Sequence, residues 1–331
     1  MPPEDASHLR TFMQWPVSVD VYGARLLKRV QSSIADIARA ISAFEEVVVL
    51  VADEHRAEAV AALGDGIATW DIPTDDLWCR DSGPTFVANE SGELAVSQIQ
   101  FNGWGDKQEH GHDAQIARRI ADRIGLKYLE TGLVGEQGGL EHDGTGLVLA
   151  HASSWVNPNR DTAPREVIER KLLSAVGGRQ MIWAPGIAGA DITDYHIDAL
   201  ARFVAPGKVL IQMPQSVSPD DPWSRAAHET LGVLRDFHAA DGKALEIITL
   251  AEPVDVRSQK NDFVASYVNF YVCNGAVICS NFGDDAADGE AAEVLQQLYP
   301  GRRIVSLNTD PIGESGGGIH CATQQQPEAG T

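Results

Sequence analysis

Ser315-Gly316-Gly317-Gly318-Ile319-His320-Cys321-Ala322-Thr323 is the most unusual stretch of this chain. Three glycines remove side-chain bulk just before a cysteine, so the backbone there can pack tightly against a ligand. A single cysteine is by default an inert buried thiol. That default suits Cys273 and Cys279, which sit in apolar, strand-like runs. Cys79 adjoins Arg80 and Asp81, and strand alternation would turn it away from both. Cys321, in a polar glycine-rich loop, is the best nucleophile candidate.

Three further segments are as dense in polar residues, Gly and Trp. Asp76-Leu77-Trp78-Cys79-Arg80-Asp81-Ser82-Gly83-Pro84 ends in a turn signal, which places its charges at a strand end or loop. Glu136-Gln137-Gly138-Gly139-Leu140-Glu141-His142-Asp143-Gly144 carries two adjacent glycines and then an Asp-Gly hairpin signal. The last is Asp191-Ile192-Thr193-Asp194-Tyr195-His196-Ile197-Asp198. In a strand, residues two apart share a face, so Asp194, His196 and Asp198 would project together. Carboxylates on either side can hold a histidine charged and oriented.

Between these segments the pattern is α/β. Apolar runs rich in β-branched residues at 47–51, 146–150, 208–213, 247–250, 267–272 and 276–279 predict buried strands. Amphipathic stretches at 26–43, 113–124, 164–176, 223–238 and 286–299 predict helices, the last stopped by Pro300-Gly301. No Gly/Ser-rich or Pro-rich linker divides the chain, so residues 1–331 read as one domain. Strand–helix units recur, but no sequence repeat is visible.

The formal net charge of −21 is spread along the chain. Such a surface repels nucleic acid and anionic lipid and draws cations, although solubility alone is reason enough for it. Four cysteines with no CxxC pair indicate neither a disulfide scaffold nor a structural zinc site. No stretch approaches the roughly 18 apolar residues of a membrane span. The N-terminus has no basic start and apolar run, so a cytoplasmic location is expected.

A Cys, a His and several carboxylates in distant segments suggest one chemistry. A guanidinium carbon is a poor electrophile because its charge is delocalised. Carboxylates that grip its nitrogens can orient it and hold that charge in place. A thiolate attacks the carbon. A histidine then donates a proton to departing ammonia and later activates water. No metal or cofactor is needed.

These segments resemble the agmatine deiminase family, within the guanidine-modifying (pentein) group that also holds the bacterial peptidylarginine deiminases. The resemblance runs in order from Met1-Pro2-Pro3-Glu4 and Met13-Gln14-Trp15-Pro16 through Trp78–Pro84 and Phe101-Asn102-Gly103-Trp104-Gly105. It continues through Asn157-Pro158-Asn159-Arg160, Thr193–Asp198, Tyr267-Val268-Asn269-Phe270-Tyr271 and Phe282-Gly283-Asp284 to Gly316–Gln325. It implies a five-bladed α/β propeller of ββαβ units with the site at its centre. It also implies roles: Cys321 as nucleophile, His196 as general acid/base, and Asp81 and Asp198 as the guanidinium carboxylates. Glu136 would orient the histidine, and Trp78, Trp104, Asn269 and Gly318 would line the substrate pocket.

Three departures from the family pattern stand out. Glu136-Gln137-Gly138-Gly139 replaces a usual Glu-Gly-Gly, either through Gln137 or through a one-residue slip. Val17–Gly23 lacks the usual Asp-Asn-Trp element, and Tyr195 stands where Gly is common. These bear on the part of the pocket that reads the substrate tail.

The expected partner is a small cationic guanidino compound, agmatine before others, and the expected assembly is a homodimer. Nearby basic residues, Arg80 as the partner of an adjacent acid and a solvated Lys107, do not suggest a carboxylate-binding tail site. Asp76, Asp106 and Glu109 suit an amine tail. The alternatives are a peptidylarginine or free-arginine deiminase, or an amidinotransferase. Further away lie a metallohydrolase built on His142, His151 and His196, and a non-catalytic guanidine-binding protein.

Overall fold

Glu46–Val51 has no polar alternation, and it forms a strand whose residues 47–51 are all buried. A strand covered on both faces reads as a continuous apolar run. It pairs in parallel with His8–Gln14 on one side and Ala68–Asp71 on the other. A computed structural model describes residues 1–330, and this sheet is one of five in it.

The other four repeat one plan. An antiparallel hairpin is followed by a helix and a third strand parallel to the second. The strands are Thr85–Ala88, Leu94–Ser97 and Lys127–Leu129, then Leu140–His142, Leu147–His151 and Gln180–Ala184. Next come Ala201–Ala205, Lys208–Met213 and Glu246–Ala251, and finally Tyr271–Cys273, Ala276–Asn281 and Arg303–Asn308. The crossover helices are Ile116–Ile124, Arg165–Val176, Pro222–Asp236 and Asp285–Leu298. Asp221 and Asp284 cap the last two by accepting hydrogen bonds from first-turn amides.

The first sheet takes its outer strand from the other end of the chain. Gln324–Pro327 lies antiparallel on His8–Gln14, with Gln324 opposite Phe12. Both chain ends therefore complete one blade, and the ring of the five-bladed α/β propeller closes through that pairing. Five apolar clusters replace a single core, packed largely between each sheet and its helices. Among the described residues no helix is long and apolar enough to cross a membrane.

Two sequence expectations change. The run 267–272 is a strand only from Tyr271, because the residues before it turn their polar groups to other blades. Asn269 Nδ2 donates to the Asp198 carbonyl, and the Tyr267 amide donates to Gln212. The segment Thr193–Asp198 is no strand at all. Asp194 and Tyr195 adopt left-handed φ of 60° and 69°, which ends any alternation.

Candidate active site

All the candidate residues except Trp104, which follows the second strand of its unit in Gly103–Asp106, sit in the short segment just before the first strand of a unit. Asp81 lies in the turn Cys79–Ser82 ahead of Thr85–Ala88, and Glu136 precedes the turn Gln137–Gly139 ahead of Leu140–His142. His196 and Asp198 flank Ile197 ahead of Ala201–Ala205, Asn269 comes just before Tyr271–Cys273, and Cys321 just before Gln324–Pro327. Five equivalent loops thus converge. The repeat lies in the backbone: apart from the aspartates Asp81 and Asp198, the polar residues the units contribute differ.

The side chains meet at bonding distance. Cys321 Sγ lies 3.5 Å from Asp198 Oδ2, and Asn269 Nδ2 donates to the sulfur at 3.3 Å. His196 Nδ1 lies 3.6 Å from Asp81 Oδ1, and its Nε2 lies 3.2 Å from Glu136 Oε2. The glycines make room for this crowd. A Cβ on Gly138 would come within 2.7 Å of Asp81 Oδ1 and 2.8 Å of His196 Nδ1. In the cysteine loop, a Cβ on Gly318 would strike Asn269, and one on Gly317 would strike the Trp78 ring.

Glu136 is the residue that reaches His196, so no slip is needed. Gln137 turns away and accepts from Thr85 Oγ1 at 3.0 Å. Arg160 fixes Glu136 from behind with a two-pronged pair at 2.9 and 3.2 Å, all four groups buried. Trp104 Nε1 donates to Asp81 Oδ2 at 2.9 Å. It gets there on a left-handed turn in which Gly103, Trp104, Gly105 and Asp106 all have positive φ. Such backbone strain is retained where the surroundings over-determine it, as at functional sites.

Several expectations are corrected. Asp194 does not share the face of His196 and Asp198; it accepts from Arg160, Lys107 and Asn159. Lys107 is exposed, as expected of a solvated charge, and it also ties the Trp104 loop to Asp194 at 2.8 Å. Arg80 does not pair with its neighbour Asp81; it contacts Glu4, Gln325 and the His320 carbonyl. His151 hydrogen-bonds the Tyr195 carbonyl and Thr230, so it does not join His196 as a ligand. Among the described residues no group of three His, Cys, Asp or Glu is arranged to hold a metal ion. Asp143 is the turn former its sequence suggests, accepting from the amides of Thr145, Gly146 and Leu147.

Glu4, Arg160 and Arg202 carry the site from behind: Arg160 holds Glu136, and Arg202 holds Glu4 against His320. Glu4 and Arg160 belong to the Met1–Glu4 and Asn157–Arg160 motifs, but nothing in those motifs gives them a role. Their partners lie far along the chain, so local patterning held no signal for them.

The charges set the proton positions. Burial, with Glu136 and Asp198 nearby, raises Asp81 to about 6 against the opposing pull of His196 and Trp104. Burial works against a charged His196, but Asp81 and Glu136 outweigh it and hold the imidazole at about 9. Asp198 is lower than an ordinary carboxylate, because His320 and His196 outweigh its burial. Burial and the fields of Asp198 and Asp81 push the Cys321 thiol well up.

One consequence can be measured. Folding raises the pKa of His196, so its contribution to stability is complete below about pH 6.5 and is lost as pH rises through about 9. The melting temperature should fall across that window. Glu136→Gln should flatten the fall and move the alkaline limb of activity down by about one to two pH units, the worth of one charge-assisted hydrogen bond. An unchanged profile in Glu136→Gln would remove Glu136 from this role.

The propeller, and the site at its centre, place the chain among the guanidine-modifying hydrolases. Residues 1–327 match the Porphyromonas-type peptidyl-arginine deiminase family, and the chain belongs to that family. It is 35% identical to the agmatine deiminase of Ectopseudomonas mendocina, covering 99% of this chain and 95% of that protein. It is 33% identical to the agmatine deiminase of Stutzerimonas stutzeri over the same shares. The solved agmatine deiminase of Enterococcus faecalis superposes with a TM-score of 0.91 at 28% identity, covering 99% of this chain and 96% of that one.

Proposed function

We propose that this chain, acting as a single catalytic domain over residues 1–331, hydrolyses agmatine to its ureido product and ammonia. One observation carries the reading: the buried Asp198 Oδ1 has no hydrogen-bond partner among the described residues, and Oδ2 of the same carboxylate lies 3.5 Å from Cys321 Sγ. A buried carboxylate oxygen without a donor is costly, and a guanidinium N–H is the donor that fits. Asp81 offers the second carboxylate.

A protonated Cys321 between two carboxylates is idle in the free enzyme. A cationic substrate neutralises that field, the thiol releases its proton to water, and the thiolate adds to the guanidinium carbon. The imidazolium of His196 gives its proton to the departing nitrogen. Ammonia leaves, and a thiouronium on Cys321 remains. His196, now neutral, takes a proton from water as the hydroxide adds to the same carbon. The adduct collapses: its hydroxyl proton passes to the departing sulfur, the C–S bond breaks, the Cys321 thiol is restored, and the ureido product leaves.

The tail assignment rests on charge. Val17, Ser18 and Val21 line a cavity of about 270 Å³ with Glu54, Asp75, Glu109, His55 and His112, and none of the candidate site residues is in that lining. Of the acids expected to suit an amine tail, Glu109 is in this lining, Asp76 and Asp106 are not, and Asp76 is engaged by Tyr22, Gln108 and the Leu77 amide. The preference for an amine over a carboxylate rests on the net charge of −21. The four unpaired cysteines suit a reducing compartment such as the cytoplasm.

Ammonia release from agmatine, L-arginine and a peptidyl-arginine, measured side by side, is the test. Agmatine should have the highest kcat/KM, at least about tenfold above arginine, the worth of one poorly matched charge. A tenfold preference for arginine or the peptide would replace agmatine as substrate while leaving the chemistry. An amidinated amine as product, without free ammonia, would replace hydrolysis by transfer.

A further inference from the structure

His320 stands next to the nucleophile in sequence but faces the other way. Its Nδ1 lies 2.8 Å from Asp198 Oδ2, and its Nε2 lies 2.8 Å from Glu4 Oε2. The side chains of His320 and Asp198 are buried, and that of Glu4 is 12% exposed. A neutral imidazole has one N–H and one lone pair. Only the doubly protonated ring can donate to both oxygens.

Both carboxylates are ionised. Glu4 is held well below the usual range, Arg202, His320 and Arg80 outweighing its burial. Arg202 Nη2 donates to Glu4 at 2.7 Å and Arg202 Nε to Glu141 at 3.0 Å, while the Val272 amide takes the other Glu4 oxygen. The groups packed around the ring are thus the acids Glu4, Glu141 and Asp198, the cations Arg80 and Arg202, and the Cys321 thiol. A cation at His320 balances the three carboxylates.

We infer that His320 is a positioning residue: as an imidazolium bridging Glu4 and Asp198, it holds Asp198 charged, with Oδ2 pinned and Oδ1 turned to the guanidinium. The N-terminal segment thereby sets the orientation of a carboxylate nearly two hundred residues away. For its effect on turnover the inference rests on the deiminase reading above.

Two substitutions separate the contacts. His320→Asn places an amide N–H close to the position of Nδ1, keeping a donor to Asp198 and losing the charge and the Glu4 contact. His320→Gln places its amide nearer Nε2 and abandons Asp198. Per folded molecule, kcat/KM on agmatine should fall at least tenfold in His320→Asn and at least tenfold further in His320→Gln, with KM rising in both. In ¹⁵N-histidine spectra of the wild type at neutral pH, both His320 nitrogens should carry protons, as the two 2.8 Å contacts require. Equal losses in the two variants, or a His320 with a proton on only one nitrogen, would overturn the inference. If the wild type deiminates no guanidine, the proposed function falls separately. The spectra still decide the bridge, and protection of Cys321 from alkylation by guanidinium chloride, weaker in His320→Gln than in His320→Asn, replaces the kinetic ranking.

Discussion

Cys321→Ser should lower kcat by roughly 10⁴-fold or more, the scale seen when a covalent nucleophile is removed, while agmatine still binds. Serine keeps the size of the side chain but is a far weaker acid and a poorer nucleophile. The same two carboxylates that raise the thiol would raise the hydroxyl further. Binding should survive because Asp81, Asp198 and Trp78 are untouched. Calorimetry on the serine variant, beside a coupled ammonia assay, checks both halves. Residual turnover at a tenth of the wild-type rate would end the nucleophile assignment. Alkylation gives an independent reading. Cys321 is 9% exposed, whereas Cys79 and Cys273 are fully buried and Cys279 is 3% exposed. Iodoacetamide should modify Cys321 first, and agmatine should protect it.

Asp198→Asn should have the second-largest effect, with two readouts of opposite sign. A charge-assisted hydrogen bond is worth about 1.5–3 kcal/mol, so agmatine affinity should drop by about one to two decades. Turnover should drop further, because Asp198 also aligns the carbon above the sulfur. The carboxylate is fully buried and shares Oδ2 with His320 and the thiol. Breaking a buried pair of this kind costs about 3–5 kcal/mol, so the melting temperature should fall as well. The thiol, however, loses the largest charge that raises it. In the absence of substrate, Cys321 of the variant should therefore be alkylated faster than in the wild type at the same pH. Slower or equal alkylation would show that Asp198 does not hold the thiol protonated.

Much of the local structure was legible in the chain. Continuous apolar runs such as Val47–Val51 became strands buried on both faces, and the Asp143-Gly144 turn formed as its residues require. The helices followed their amphipathic stretches to within a few residues, save that the first begins at Val19, where Ser18 caps it, and kinks at Gly23. The chemistry was legible too, since a cysteine behind three glycines and a histidine among aspartates are rare without a reason. The sequence did less well where it was read as alternation. Asp194, His196 and Asp198 have strand spacing, yet two consecutive left-handed residues redirect Asp194 to Arg160 and Lys107. Local propensity disfavours that conformation for a tyrosine, and the surrounding contacts impose it.

The residue types needed to grip a guanidinium, the places where glycine is required, and the alternation of hairpin and helix follow from short-range rules that act within a few residues. Tertiary structure decided the rest. It aligned five loops whose sequences share no repeat, closed the ring by pairing Gln324–Pro327 with His8–Gln14, and set Glu4 against His320 and Arg160 against Glu136. It also left Asp198 Oδ1 without a partner among the described residues, on a carboxylate whose other oxygen meets the thiol. Those facts depend on which distant surfaces bury one another. A charge bound for the interior looks the same in sequence as one bound for water until its partner, hundreds of residues away, is brought within 3 Å of it.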